Sequence, residues 1–207
     1  QPRHLLVLAL SLPLLTSHAD PAPAKAKAPA SPATAPKPKA APKPPEDLTQ
    51  WNGYKRMNFV IDGKKGWLVL PKTPAKGSPW AWRTEFFGHE PQGDIALLGK
   101  GFAIGYIDVT NMYGSPPALE QMDKFYSYVR EKFQLGEKTV LEGFSRGGLF
   151  ALNWAIRHPE RTAALYLDAP VCDITSWPGG FGKGKGSPGD WERCKKIYGI
   201  KDDAEAK

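Results

Sequence analysis

Apolar and polar residues follow two different periods along residues 54–198. Short apolar or alternating segments bounded by Gly, Pro and Asn predict β-strands, whereas apolar residues spaced three and four apart predict helices. The predicted strands are 54–62, 66–72, 79–87, 102–109, 138–144 and 162–171, and the predicted helices are 91–101, 118–135, 146–159 and a last one near 190–198. This order predicts an α/β domain with a mostly parallel sheet, crossover helices and an antiparallel hairpin at one edge.

The N-terminal residues have the pattern of a secretory signal peptide. Arg3 precedes the apolar run 4–15, and small residues flank His18 in "SHA", which predicts cleavage after Ala19. The alternative is a short buried helix, since a run of about 12 residues is too short to span a bilayer. The signal peptide predicts a secreted or periplasmic protein.

Residues 20–46 contain nine Pro, nine Ala and five Lys. We expect a disordered, extended linker, because such a segment cannot bury enough apolar surface to offset its ordering entropy. The linker carries +3 and Arg3 carries +1, so the total of +7 leaves +3 for residues 47–207. The basic composition therefore does not argue for nucleic-acid binding by the domain.

Two cysteines, Cys172 and Cys194, lie in the domain. In an exported protein they can form a disulfide, which would close a loop of about 22 residues and contribute roughly 3 kcal/mol. The alternative is two free thiols.

The segment "GFSRG" at 143–147 lies between the predicted strand 138–144 and the helix that follows it. A G-x-S-x-G at such a junction predicts a nucleophile elbow, in which Ser145 is exposed on a sharp turn. Gly143, Gly147 and Gly148 would let strand and helix pass closely, and the backbone N–H of Arg146 would face a developing oxyanion. The alternative is a Gly-rich turn without chemistry.

Several stretches resemble the α/β-hydrolase fold family, in particular a group of exported bacterial hydrolases. The stretches are "RTEFFGHEP", "FAIGYIDVTNMYGSP", "VLEGFSRGGLFALNWAIRHPERTAALYLDAPV" and "DAPVCDITSWPGG", and the resemblance covers residues 51–207. It implies that the backbone of His89, or alternatively Glu90, supplies a second oxyanion donor. It also makes Asp168 and Asp173 candidate acids, for which loop hydrogen bonding is the alternative role.

A triad histidine is missing from this pattern. The family order is Ser, then Asp or Glu, then His, but only His158 follows Ser145, roughly 20 Å away along one helix. His89 precedes Ser145, while His4 and His18 belong to the signal peptide. Because the family sheet has eight strands and six are predicted, we expect a fragment that lacks the C-terminal strands. We expect this chain alone to be inactive and poorly stable.

The resulting expectation is a serine hydrolase that acts on small-molecule or carbohydrate-linked carboxylic esters through a Ser145 acyl-enzyme. Trp177 and Trp191 would form either a lid that stacks on sugar rings or a packed core. No cofactor, metal, nucleic acid or transmembrane segment after signal removal is implied. The alternatives are a peptidase related to the prolyl oligopeptidases and a catalytically silent binding protein with this fold.

Overall fold

A computed structural model describes residues 47–206, so the predicted signal peptide and linker lie outside the described residues. Seven strands form one sheet, and four α-helices accompany it. The strands are β1 (Asp47–Trp51), β2 (Tyr54–Ile61), β3 (Lys64–Leu70), β4 (Trp80–Arg83), β5 (Ala103–Ile107), β6 (Thr139–Phe144) and β7 (Thr162–Asp168). The helices are α1 (Gln92–Gly99), α2 (Pro116–Phe133), α3 (Gly147–Arg157) and α4 (Pro188–Tyr198), and a 3₁₀ turn covers Pro159–Arg161.

The antiparallel part of the sheet contains one strand more than predicted. β1 pairs with β2 across the turn Asn52-Gly53, and β2 pairs with β3 across Asp62-Gly63. All four turn residues have positive φ, which is the requirement of the hairpin turn that favours Asn-Gly and Asp-Gly. β1 was missed because its sequence, DLTQW, is mostly polar, and the neighbouring Asn52-Gly53 was the signal that could have revealed it.

The sheet order is β1-β2-β3-β5-β4-β6-β7. β4 is parallel to both β5 and β6, and β6 is parallel to β7, which confirms the predicted α/β class. β4 ends at Arg83, four residues earlier than predicted. The chain then turns away from the sheet, because Phe86, Gly88 and Glu90 all have positive φ.

The main core lies on the side of the sheet that α2 and α3 cover. Its largest buried side chains are aromatic, and the Trp82 ring lies 4.8 Å from that of Phe125 and 5.2 Å from that of Trp154. Gly105 of β5 makes room for them, because a Cβ there would lie 3.1 Å from Phe125 Cζ and 3.2 Å from Trp80 Cζ3. A smaller cluster on the α1 side contains Val69, Ala81, Leu98 and Ile104.

The disulfide considered from the sequence is not formed. Cys172 and Cys194 are free thiols, because Cys172 is exposed in the loop after β7 whereas Cys194 is buried on α4. Burial raises the pKa of the Cys194 thiol to about 11. Within residues 47–206, no helix is long and apolar enough to cross a membrane.

Candidate active site

Ser145 occupies the sharp turn between β6 and α3, with φ of +52°. A non-glycine residue in this region is strained and persists only where its surroundings hold it. Three backbone hydrogen bonds do so: Ser145 N–H donates to Asp168 O at 3.0 Å, and Ser145 O accepts from Gly148 N–H at 3.0 Å and Val171 N–H at 2.8 Å. The half-buried serine is thus presented at the carboxyl end of a parallel strand.

The three elbow glycines lie where a side chain would collide. A Cβ at Gly143 would lie 2.8 Å from Leu167 Cδ2, and one at Gly148 would lie 2.6 Å from Pro170 Cβ and 2.7 Å from Val171 O. At Gly147 the nearest atoms are Glu85 Cβ and Thr84 Oγ1, each 3.1 Å away. The glycines therefore permit close approach of β7, the loop after β7 and the loop after β4.

The backbone around this turn offers donors for an oxyanion. Arg146 N–H lies at the start of α3, where the helix dipole favours negative charge, and it donates to no backbone carbonyl among the described residues. The His89 N–H donates to Phe86 O at 3.0 Å. In this structure a turn within the loop therefore uses the N–H that the resemblance implied as the second oxyanion donor.

Glu85 and Phe86 are the residues of the β4 loop that approach the elbow. Glu85 N lies 3.6 Å from the position of a Cβ on Gly147, and the Phe86 ring centroid is 4.9 Å from Arg146 Cζ. Across residues 47–206, their N–H groups have no backbone acceptor. Glu90 lies farther along the loop and lines a cavity beside Glu142 and Phe144.

Neither described histidine is hydrogen-bonded to Ser145. His158 Nε2 lies 2.7 Å from Asp123 Oδ1, and its ring packs on Trp154 at the far end of α3. The His89 ring stacks on Phe144, with centroids 5.3 Å apart. The part of the chain that the structure describes therefore brings no histidine into hydrogen-bonding contact with the serine.

A family model described as alpha/beta hydrolase fold matches residues 68–195, which is more than half of the chain. The chain belongs to the alpha/beta hydrolase fold family. The match contains the elbow, the β4 loop and both candidate acids.

Several solved structures are similar to this alpha/beta hydrolase chain. An acetyl xylan esterase from Aspergillus awamori is 12% identical, with 53% of this chain and 50% of that chain covered and a TM-score of 0.44. A thermostable carboxyl esterase from Bacillus coagulans is 16% identical, with 61% and 44% covered and a TM-score of 0.41. Est1E from Butyrivibrio proteoclasticus is 22% identical, with 58% and 48% covered and a TM-score of 0.38. The chain spans about half the length of these structures.

The two candidate acids of this alpha/beta hydrolase have different surroundings. Asp168 is the last residue of β7, and it lines the same cavity as Glu90, beside Phe144 and Tyr166. The Asp173 carboxylate accepts from Thr175 N–H at 2.8 Å and Thr175 Oγ1–H at 2.7 Å. Asp173 thus performs the loop hydrogen bonding that was its alternative role, whereas the Asp168 carboxylate makes no hydrogen bond or ion pair within residues 47–206.

The two tryptophans considered for a lid are packed against the protein. Trp191 is 5% exposed in the main core, and its Nε1–H donates to Asp203 Oδ1 at 2.8 Å. Trp177 is partly buried and lies 6.1 Å from the Tyr113 ring. Both tryptophans therefore have the packed environment that was predicted as the alternative to stacking on sugar rings.

A buried charged cluster on the α1 side of the sheet had no signal in the sequence. Arg83 Nη1 lies 2.7 Å from Asp94 Oδ2 and 3.9 Å from Glu142 Oε2. Burial, reinforced by the nearby Asp94 carboxylate and opposed by Arg83, raises the pKa of Glu142 to about 7. Arg83 also donates to His89 O at 2.6 Å, so the cluster ties the β4 loop to α1 and β6.

Arg83 and Glu142 of this cluster line one wall of a cavity of about 680 Å³ between α1 and the strands β6 and β7. Val140, Phe144 and Tyr166 supply apolar surface to the cavity, and Tyr166 is 63% exposed. Among the described residues, β7 is an edge strand of the sheet, opposite the edge formed by β1. Within residues 47–206, groups of three or more His, Cys, Asp or Glu suited to a metal ion do not occur.

Proposed function

We propose that this protein is a serine hydrolase of carboxylic esters that forms an acyl-enzyme on Ser145. The observation that carries the proposal is the strained elbow, where a non-glycine residue at φ +52° is held by three backbone hydrogen bonds. A turn that served only to connect a strand and a helix would not require a serine in the left-handed region.

In the proposed reaction, Ser145 Oγ attacks the ester carbonyl carbon and its proton passes to a general base. The carbonyl oxygen gains the electron pair, and the N–H of Arg146 and an N–H of the Glu85–Phe86 segment stabilise it. The base then returns the proton to the leaving oxygen, so collapse of the tetrahedral intermediate releases the alcohol and leaves the acyl group on Ser145. Water then attacks that ester by the same route and releases the acid.

We further propose that the base lies outside residues 47–206. His158 is paired with Asp123 at the far end of α3, and His89 stacks on Phe144, so neither geometry supports a base role. The proposed acid is Asp168, whose backbone already holds the elbow. The pattern of residues 1–19 supports export as a further part of the proposal.

A second candidate is a catalytically silent binding protein with this fold. The observation that favours it is the same lack of a described histidine at Ser145, because a serine without a base is a weak nucleophile. The two candidates predict opposite behaviour of Ser145 toward reagents that mimic the first half of ester hydrolysis.

The test is labelling with a fluorophosphonate, which attaches to activated serines. The protein is expressed from its complete gene and labelled, with Ser145→Ala as control and mass spectrometry to locate the adduct. We expect labelling of Ser145 and its loss in the variant, together with hydrolysis of p-nitrophenyl acetate. A folded protein that neither labels nor hydrolyses esters would favour the silent candidate.

The same preparation tests whether either described histidine is the base and whether the substrate is an ester or a peptide. His89→Gln and His158→Gln should label at the wild-type rate, because the His89 ring stacks on Phe144 and the His158 ring is paired with Asp123, so neither is hydrogen-bonded to Ser145. A panel of esters and matched peptides should show turnover of esters only. Peptide turnover that requires Ser145 would instead support the peptidase alternative.

A further inference from the structure

Glu85 is a buried carboxylate beside the elbow that the proposed reaction does not use. It is 2% exposed and follows β4 by two residues. Burial raises its pKa, whereas Arg146 lowers it. A buried ionisable group next to a reactive turn needs an explanation, because burying a charge is costly unless it is paired.

The two carboxylate oxygens of Glu85 bind two different parts of the molecule. Oε1 accepts from Arg146 Nε–H at 2.8 Å, and Oε2 accepts from Thr110 Oγ1–H at 3.0 Å. Arg146 belongs to the elbow, and Thr110 belongs to the loop after β5. One side chain therefore connects the three loops that follow β4, β5 and β6 at their carboxyl ends.

The same side chain limits how Arg146 can move. The guanidinium is bonded to Glu85 and lies over the Phe86 ring, with Cζ 4.9 Å from its centroid. The Glu85 Cβ fills the space that Gly147 leaves open, 3.1 Å from where a side chain would begin. Arg146 and Gly147, two successive residues of the elbow, thus both lie against Glu85.

We propose that Glu85 is a positioning residue that sets the distance between the two oxyanion donors, Arg146 N–H and an N–H of the Glu85–Phe86 segment. The inference rests on the proposed function, because it assigns Glu85 a role in the Ser145 reaction. The donors belong to different loops, and the Glu85 carboxylate links those loops through Arg146, beside the Thr84 Oγ1–H that donates to Gly147 O at 2.8 Å. A small error in the distance between the two donors lowers the reaction rate, since preorganised donors stabilise the oxyanion only where its charge develops.

The substitution Glu85→Gln isolates this role because it keeps the size of the side chain. Its carbonyl oxygen can still accept from Arg146 Nε–H, but the amide cannot replace the charge-assisted bond. Glu85→Asp keeps the charge and shortens the side chain by one methylene, so it tests position rather than charge. Glu131→Gln, on the exposed side of α2, is the matched control for loss of one carboxylate.

The experiment measures kcat and KM for p-nitrophenyl acetate in the full-length protein, with the active fraction titrated by fluorophosphonate. We expect both Glu85 variants to lower kcat per active site by about 10- to 100-fold with little change in KM, as for a misplacement of about 1 Å. Glu131→Gln should retain the wild-type kcat. Thermal unfolding of each variant reports stability separately.

Three results would overturn the inference, and they are distinguishable. If Glu85→Gln lowers the unfolding temperature and active fraction but keeps the wild-type kcat per active site, the residue is only structural. If Glu85→Asp restores wild-type kcat, charge and not position matters. If the wild-type protein neither labels nor turns over, the proposed function fails, and the role of Glu85 fails with it.

Discussion

The packing at the elbow can be tested by a pair of matched glycine substitutions. Gly148 and Gly93 are each the second residue of a helix, α3 and α1 respectively. A Cβ at Gly148 would lie 2.6 Å from Pro170 Cβ and 2.7 Å from Val171 O, whereas nothing lies within 4 Å of a Cβ at Gly93. Ala at both positions makes the same local change in two different tertiary environments.

The expected effects have opposite signs. An alanine in a helix is favoured over glycine by about 0.5–1 kcal/mol, so Gly93→Ala should stabilise the protein by about that amount. Overpacking costs about 1–3 kcal/mol, so Gly148→Ala should lower the free energy of unfolding by about 1–2 kcal/mol net. At about 2–4 °C per kcal/mol, the unfolding temperature should fall by about 2–8 °C.

Thermal and urea unfolding followed by tryptophan fluorescence measures both variants. Because Val171 N–H holds Ser145 O at 2.8 Å, displacement of residues 170–171 in Gly148→Ala should also slow labelling of Ser145. Gly93→Ala should label at the wild-type rate. A Gly148→Ala protein as stable as wild type, or a Gly93→Ala protein equally destabilised, would refute the packing argument.

Three further predictions concern groups away from the serine. Because the pKa of Glu142 is raised from its ordinary 4.5 to about 7 by burial, the folded protein binds this proton more tightly than the unfolded chain. Stability should therefore fall by about 1–3 kcal/mol as pH rises from 4.5 to 7, and urea midpoints at pH 5 and 8 should show that Glu142→Gln removes this fall. A thiol reagent should modify Cys172 in the folded protein and Cys194 only after unfolding, because Cys194 is buried. Modification of both thiols at the same rate in the folded protein would contradict the burial of Cys194. His158→Gln should cost about 1 kcal/mol of stability from its lost hydrogen bond but leave Ser145 labelling unchanged, and slower labelling would show that the far end of α3 is coupled to the site.

The local pattern of the sequence was enough for most of the secondary structure. The apolar spacing that predicted a helix over 118–135 corresponds to α2 at Pro116–Phe133, and the predicted elbow lies at the end of β6. Helical periodicity, Pro at a helix start and Gly at a tight turn act within a few residues of each other. For that reason a single sequence reveals them.

The arrangement of the site depends on contacts between residues far apart in the chain. Glu85 became part of it through bonds to Thr110 and Arg146, 25 and 61 residues away, although an acidic residue directly after a predicted strand was visible. The His89 N–H was predicted to be the second oxyanion donor, and in the structure it donates to Phe86 O within its own loop.

The α/β class, the strand–serine–helix junction and the glycines of that junction could be predicted from residues close together in the chain, because short-range geometry dictates all three. The position of β4 between β5 and β6, which brings its loop against the elbow, depends on long-range packing. The same packing buries the carboxylates of Glu85 and Asp94 and leaves that of Glu142 13% exposed, each beside an arginine. Strand order and burial depend on which residues, distant in the chain, pack together and exclude water. A local sequence pattern carries no information about such contacts.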